Sequence, residues 1–161
     1  MAATTYPYPY DLCSPVVSLR LRDDPRAPGR VRLVLRDVFR ELVVGEETAS
    51  DGVVMASELV TNAIRHAPGP YEFTVCAHEG PLPGEPAAVP DGTCPPSWLM
   101  CEVSDGGPPV PLFARAEAVM RGDPMSAGGR GLPLVRRMSG GHCGIRPLGP
   151  GKSVWFAVVV R

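Results

Sequence analysis

A chain of 161 residues with 16 basic and 17 acidic side chains carries a formal net charge of −1, which excludes the strongly basic surface that nucleic-acid or membrane binding draws on. Its hydrophobic content of 44% is that of one globular domain, large enough to bury a core without a metal or a disulfide framework. The five cysteines, Cys13, Cys76, Cys94, Cys101 and Cys143, form no CxxC pair and are odd in number, so the expectation is reduced thiols, no zinc site and a cytoplasmic protein.

The start of the chain lacks the basic-then-apolar pattern of a signal peptide, and no apolar run reaches the length of a membrane span. Residues 1–14, where Tyr6, Tyr8 and Tyr10 alternate with Pro7 and Pro9, read as a disordered tail. A single domain over 15–161 follows. Val16–Leu21 alternates as a strand, and Asp23–Gly29 reads as a turn. Val31, Val34, Leu35, Val38 and Leu42 share one face of a helix that Gly45 is placed to stop. A second helix is expected from about Asp51 to Ala67, ended by Pro68-Gly69-Pro70.

Tyr71–Ala77 and Trp98–Ser104 read as strands, joined by a Pro/Gly-rich stretch over 79–96 that reads as an exposed loop outside the core. A Gly/Pro-rich region over 105–129 holds a short helical stretch near Phe113–Met120. A third helix is expected over Leu132–Met138, with Pro133 tolerated in its first turn. Two strands close the chain, His142–Arg146 and Ser153–Val160, around a Gly149-Pro150-Gly151 turn. Strands in one sheet with helices that each need an apolar partner make a two-layer α/β (α+β) sandwich, a mixed and mostly antiparallel sheet backed by about three helices.

Four short motifs carry chemistry. In Glu58-Leu59-Val60-Thr61-Asn62, Glu58 and Asn62 are four apart and share a helix face. In isolation such a pair is more often a solvated face. Functionally, an amide oxygen suits Mg²⁺ and a carboxylate can deprotonate a nucleophile. In Val103-Ser104-Asp105-Gly106-Gly107 an Asp at a strand end can accept from an exocyclic amine, with glycine leaving room for a ligand. Taken bare, it is an ordinary Asp-Gly turn. Gly128-Gly129-Arg130-Gly131-Leu132 opens a helix whose free amides and dipole favour phosphate. Gly149-Pro150-Gly151-Lys152-Ser153 is a hairpin turn whose small residues suit packing beside a base.

In this order and spacing the four motifs resemble the N, G1, G2 and G3 boxes of the GHKL (Bergerat-fold) ATP-binding superfamily, which includes DNA gyrase, histidine kinases and anti-sigma-factor kinases. The Asn-containing helix and the Gly-Arg-Gly-Leu-Pro-Leu-Val stretch are most similar to the short anti-sigma serine/threonine kinases. The resemblance implies ATP and Mg²⁺ as cofactors, with Glu58 as general base and Asn62 as the metal ligand. It implies Asp105 as acceptor for the adenine amine and Gly107 lining the base pocket. Residues 108–128 become an ATP lid, hinged at Gly129 and Gly131, with Arg130, Leu132 and Ser153 also at the nucleotide.

Lys152 stands where the family often has threonine, which implies altered or weakened adenine recognition. Of the histidines, His66 is expected to be structural near the pocket, and His78 and His142 to be ordinary loop or strand-edge residues. Trp98 and Trp155 are expected in the core. The implied function is an ATP-dependent kinase that phosphorylates a small anti-anti-sigma partner and sequesters a sigma factor, as a possible homodimer. The alternative is a nucleotide-sensing interaction module without kinase activity.

Overall fold

The computed structural model describes residues 15–83, 85, 97–109 and 131–160. Strand β1 (Pro15–Leu21) leads into helices α1 (Ala27–Glu41) and α2 (Glu46–His66). Strands β2 (Tyr71–Glu79) and β3 (Ser97–Asp105) follow, then helix α3 (Gly131–Met138) and strands β4 (Cys143–Leu148) and β5 (Gly151–Val159). The strands form one sheet in the order β1-β2-β3-β5-β4, and every pairing is antiparallel. The helices lie on one face, so the expected α+β sandwich is the fold found. The expected tail over 1–14, and nearly all of the expected lid with its helical stretch near Phe113–Met120, lie outside the described residues.

Three boundaries of the first two helices differ from expectation. α1 starts at Ala27, because Pro28 fits a first turn and the preceding Asp24 side chain accepts from the Arg26 amide at 2.9 Å. Its end is set before Gly45. The Val44 amide donates to Phe39 O, while Val43 takes φ 54°, the left-handed position usually given to glycine. Gly45 instead caps the start of α2, which therefore begins at Glu46 with two acidic residues in its first turn.

The main core lies between sheet and helices. Val31, Leu35, Val38 and Phe39 from α1 and Ala56, Leu59, Val60 and Ala63 from α2 are buried against Phe73, Val75, Cys101, Val103, Val154 and Phe156. α2 is the central helix, touching α1, α3 and strands β2, β3 and β5. Its Gly52 lets the Phe39 ring lie directly on the helix backbone. A methyl there would fall 2.6 Å from Phe39 Cε2.

The other face of the sheet is also covered. Trp98, Met100, Trp155 and Ala157 form a second buried cluster with Cys76 and Leu82. Leu82 comes from the stretch expected to be an exposed loop, so that expectation is corrected: its described part returns an apolar side chain to the sheet, since two tryptophans on an uncovered face would lie in water. Both tryptophans are core residues as expected, but of this second layer. His78, on β2, stacks on Trp98 with ring centroids 4.2 Å apart and 14° between planes. The thiol expectation also needs correction. Cys76 is disulfide-bonded, whereas Cys101 and Cys143 are free. Sequence spacing carries no sign of such a pair, because the fold, not the spacing, decides which thiols meet. Burial pushes the Cys101 and Cys143 thiols up, which makes them poor nucleophiles.

Two outcomes follow from this packing. Alanine is normally favoured over glycine inside a helix by about 1 kcal/mol, but Gly52→Ala is expected to lower stability by about 1–3 kcal/mol through overpacking against Phe39. Urea unfolding checks this, and a gain in stability contradicts it. The second concerns pH. Burial lowers the His78 pKa from its ordinary 6.5, against a smaller upward pull from Glu102. The unfolded chain thus takes up a proton at higher pH than the folded one. The contribution is complete above the unfolded value and declines as pH falls towards the folded one. The melting temperature is expected to drop as pH falls below about 7, and to drop less in His78→Gln. Equal slopes in the two proteins would place the effect elsewhere.

Candidate functional site

The site is built where α2, the end of β3, the start of α3 and the start of β5 converge. Glu58 and Asn62 are half-buried on α2, one turn apart. Both side chains face Gly131, the first residue of α3. A methyl at Gly131 would collide with the Glu58 carboxylate and lie 3.5 Å from Asn62 Nδ2. Only a glycine lets the helix start come this close. The carboxylate, the amide and the amides at the α3 N-terminus therefore share one small volume. Gly131 is buried and Leu132 is half-buried. Gly129 and Arg130 lie outside the described residues.

The end of β3 is tied to the end of α2. The Gly106 amide donates to Pro68 O at 2.8 Å, and the Tyr71 hydroxyl donates to Ala67 O at 2.7 Å. Burial, with Asp23 and Asp105 adding negative charge nearby, pushes the Tyr71 hydroxyl pKa up and keeps it a donor. These bonds fix Asp105 relative to Asn62. His66, expected to hydrogen-bond near the pocket, is exposed at the last position of α2.

Asp105 is buried, and its Oδ1 accepts twice: from the Gly107 amide at 2.7 Å and from Lys152 Nζ at 2.6 Å. The Lys152 side chain is only 7% exposed and that of Asp105 1%. The two residues are register partners on β5 and β3. Lys152 Nζ lies 2.7 Å from the point where a Gly107 side chain would begin, so the space that glycine leaves is shared by the ammonium. A buried charge of either sign costs several kcal/mol unless paired, so each residue here requires the other.

Ser153 is turned away from this pocket. Alternation along β5 sends it to the opposite sheet face, where it donates to Glu102 Oε2 at 2.7 Å. Arg146 Nη2 reaches both oxygens of the same carboxylate, at 3.0 and 2.9 Å. This three-strand network was not anticipated in the sequence. The buried pair was detectable there in part: Val154, Phe156 and Val158 point to the helices, and counting back by two places Lys152 on that same inward side.

The residues present suit a magnesium nucleotide. Asn62 offers an amide oxygen to a hard cation and Glu58 a carboxylate. The α3 N-terminus offers amides to phosphate, and Asp105 and Gly107 stand beyond, beside the Lys152 ammonium. Among the described residues no group of three or more His, Cys, Asp and Glu could hold a metal ion. A separate concavity at the opposite end of the sheet, lined by Leu42, Ala77, Trp98, Leu99 and Val160, holds none of these groups. Nor is any helix of the described residues long and apolar enough to cross a membrane.

Breaking the buried pair has a measurable consequence. Lys152→Met leaves the Asp105 charge without its partner and is expected to cost about 3–5 kcal/mol in denaturant unfolding. Joining it to Asp105→Leu is expected to recover much of that loss. A single variant as stable as the parent would show that the pair contributes nothing.

No curated protein matches the chain. The family model for the histidine kinase-like ATPase domain matches residues 21–156, which run from the end of β1 into β5 and include all four motifs. The antiparallel sheet with helices on one face, and the convergence of Glu58, Asn62 and Gly131, agree with that match, and the chain belongs to the histidine kinase-like ATPase domain family.

Proposed function

We propose that this chain is a nucleotide-dependent regulatory protein of the cytoplasm, a protein serine/threonine kinase that acts as an anti-sigma factor. Its substrate is a serine on a small anti-anti-sigma partner, and it sequesters a sigma factor when that partner is phosphorylated. The observation that carries the reading is the meeting of Glu58 and Asn62 with the α3 N-terminus at Gly131. Family membership supports ATP, with Mg²⁺, as the nucleotide. The similarity of the Asn62 helix and the Gly131–Val135 stretch to anti-sigma kinases supports the narrower assignment.

Bound Mg-ATP supplies the γ-phosphoryl group and the charge neutralisation that its transfer needs. Asn62 would hold the metal through its amide oxygen. The amides at the start of α3 would bind phosphate oxygens. Glu58 would take the proton from the attacking serine hydroxyl as its oxygen bonds to the γ-phosphorus and the bond to the bridging oxygen breaks. Positioning and charge carry most of such a reaction, so a site this small suffices.

The second reading, a nucleotide-sensing interaction module without transfer, draws on Lys152, which fills part of the base end of the pocket. One experiment separates the two. Label transfer from γ-labelled ATP to small serine-bearing anti-anti-sigma proteins is measured alongside nucleotide affinity. Glu58→Ala is expected to keep its affinity and to lose transfer by about 10²–10⁴-fold. Unchanged partner regulation in Glu58→Ala, with no transfer by the parent protein, would favour the sensing module.

A further inference from the structure

Beside the contact between Glu58 and Gly131, each of the two helices leaves a large apolar side chain in water. Val54 precedes Glu58 by four residues on α2, and Leu134 follows Gly131 by three on α3, so each shares a helix face with its member of the site. Val54 is 39% exposed and Leu134 37%. The two are neighbours across the helix pair, because α3 runs antiparallel to α2. Gly131 meets Glu58 and Asn62 in the second half of α2. The turn after α3 lies at the level of Ala157, whose amide donates to His142 O at 2.8 Å. The start of α2 is at that same level, where a methyl on Gly52 would lie 3.7 Å from Val158 Cγ1. One turn along α3 from Gly131 therefore matches one turn back along α2 from Glu58, and Leu134 comes level with Val54.

We infer that Val54 and Leu134 are substrate-positioning residues, forming the apolar contact on which a protein acceptor rests while its serine hydroxyl reaches Glu58. The occupant is a folded protein that presents an apolar patch beside that serine. Apolar side chains scattered singly on a surface need no explanation, but these two are level with each other and border the proposed base. Their side of Glu58 is also the one that the acceptor needs. Asn62, Glu58 and Val54 follow one another along α2, from its end towards its start. With the metal at Asn62 and phosphate at the α3 amides, the nucleotide lies on the Asn62 side of Glu58. In-line transfer brings the acceptor oxygen in opposite the leaving group, which is the side of Val54 and Leu134. The inference rests on the kinase reading of the site.

The test uses the full chain and the anti-anti-sigma protein that accepts label in the transfer experiment. Val54→Ser, Leu134→Ser and the double variant are compared with Val159→Ser, whose parent side chain is 41% exposed at the far end of β5. The double variant is expected to raise KM for the acceptor protein by about 10- to 30-fold, with each single change giving part of that. Its kcat at saturating acceptor and its calorimetric affinity for Mg-ATP are expected to match the parent, and Val159→Ser to match it throughout. In Mg-ADP, where nothing is transferred, the acceptor protein is expected to shift the Val54 and Leu134 amides of the unaltered chain. That measurement decides the matter even if a variant folds poorly. An unchanged KM in a folded double variant, or shifts that miss both residues, overturns the inference and leaves the kinase reading standing. An equal loss of Mg-ATP affinity shows a merely structural role and overturns it too. A double variant that turns a dimer into a monomer without altering KM assigns the patch to a second copy of the chain, against the inference. Transfer to no acceptor overturns the kinase reading itself, and this inference with it.

Discussion

The contact between the Phe39 ring and Gly52 sets how α2 lies on the sheet. Two helices side by side usually keep their axes a side chain apart. Here one partner gives up its side chain, and an aromatic ring fills the space down to the backbone, with Val158 of β5 beneath. α2 is held between α1 and the sheet along its first half, and its second half then runs over β3 towards the pocket. Glu58 and Asn62 are carried on that second half. Their positions follow from apolar packing two to three turns away, before any polar contact is made.

At the far end of α2 the control passes to hydrogen bonds. Gly106 and Tyr71 hold the Pro68 and Ala67 carbonyls, which joins the end of the helix to the end of β3. Asp105 stands one residue before that tie, buried and paired with Lys152. Replacing such a pair with well-packed apolar side chains is often neutral or stabilising, so stability alone gives little reason to keep it. A buried carboxylate and ammonium keep a charged pair on the helix-facing side of the sheet, next to Gly107, where an apolar pair would offer none. The same logic does not extend to the Glu102, Arg146 and Ser153 network. It lies on the other face of the sheet, where it joins β3, β5 and β4 and lies apart from the pocket.

Much of this was legible in the sequence, because the signals were periodic or local. The period of α1, the Glu58–Asn62 spacing, the Pro68-Gly69-Pro70 stop and the alternation in β5 each report a geometry that backbone periodicity enforces. Misreadings came where tertiary packing overrode a local rule. Val43 took a left-handed turn that sequence reasoning gives to Gly45. Leu82 was hidden among prolines that read as exposed, and only the apolar outer face of the sheet explains its burial. Cys76 has a partner that no spacing indicates. Ser153 shows how unforgiving alternation is, since one step along β5 separates the pocket from the opposite face of the sheet. Lys152 read as a departure from a motif, and its meaning emerged only when β3 and β5 came into register.

The place where α2, β3, α3 and β5 meet is the proposed nucleotide site. Amide chemical-shift mapping of the labelled full chain, on addition of Mg-ATP, tests it most directly. Shifts are expected to gather at Asn62–Ala67, Asp105–Gly107, Gly131–Leu132 and Gly151–Lys152, and to be absent from β1 and from the far end of the sheet. An unchanged spectrum at millimolar Mg-ATP, or shifts centred on Leu42, Trp98 and Val160 at the opposite end, would contradict it.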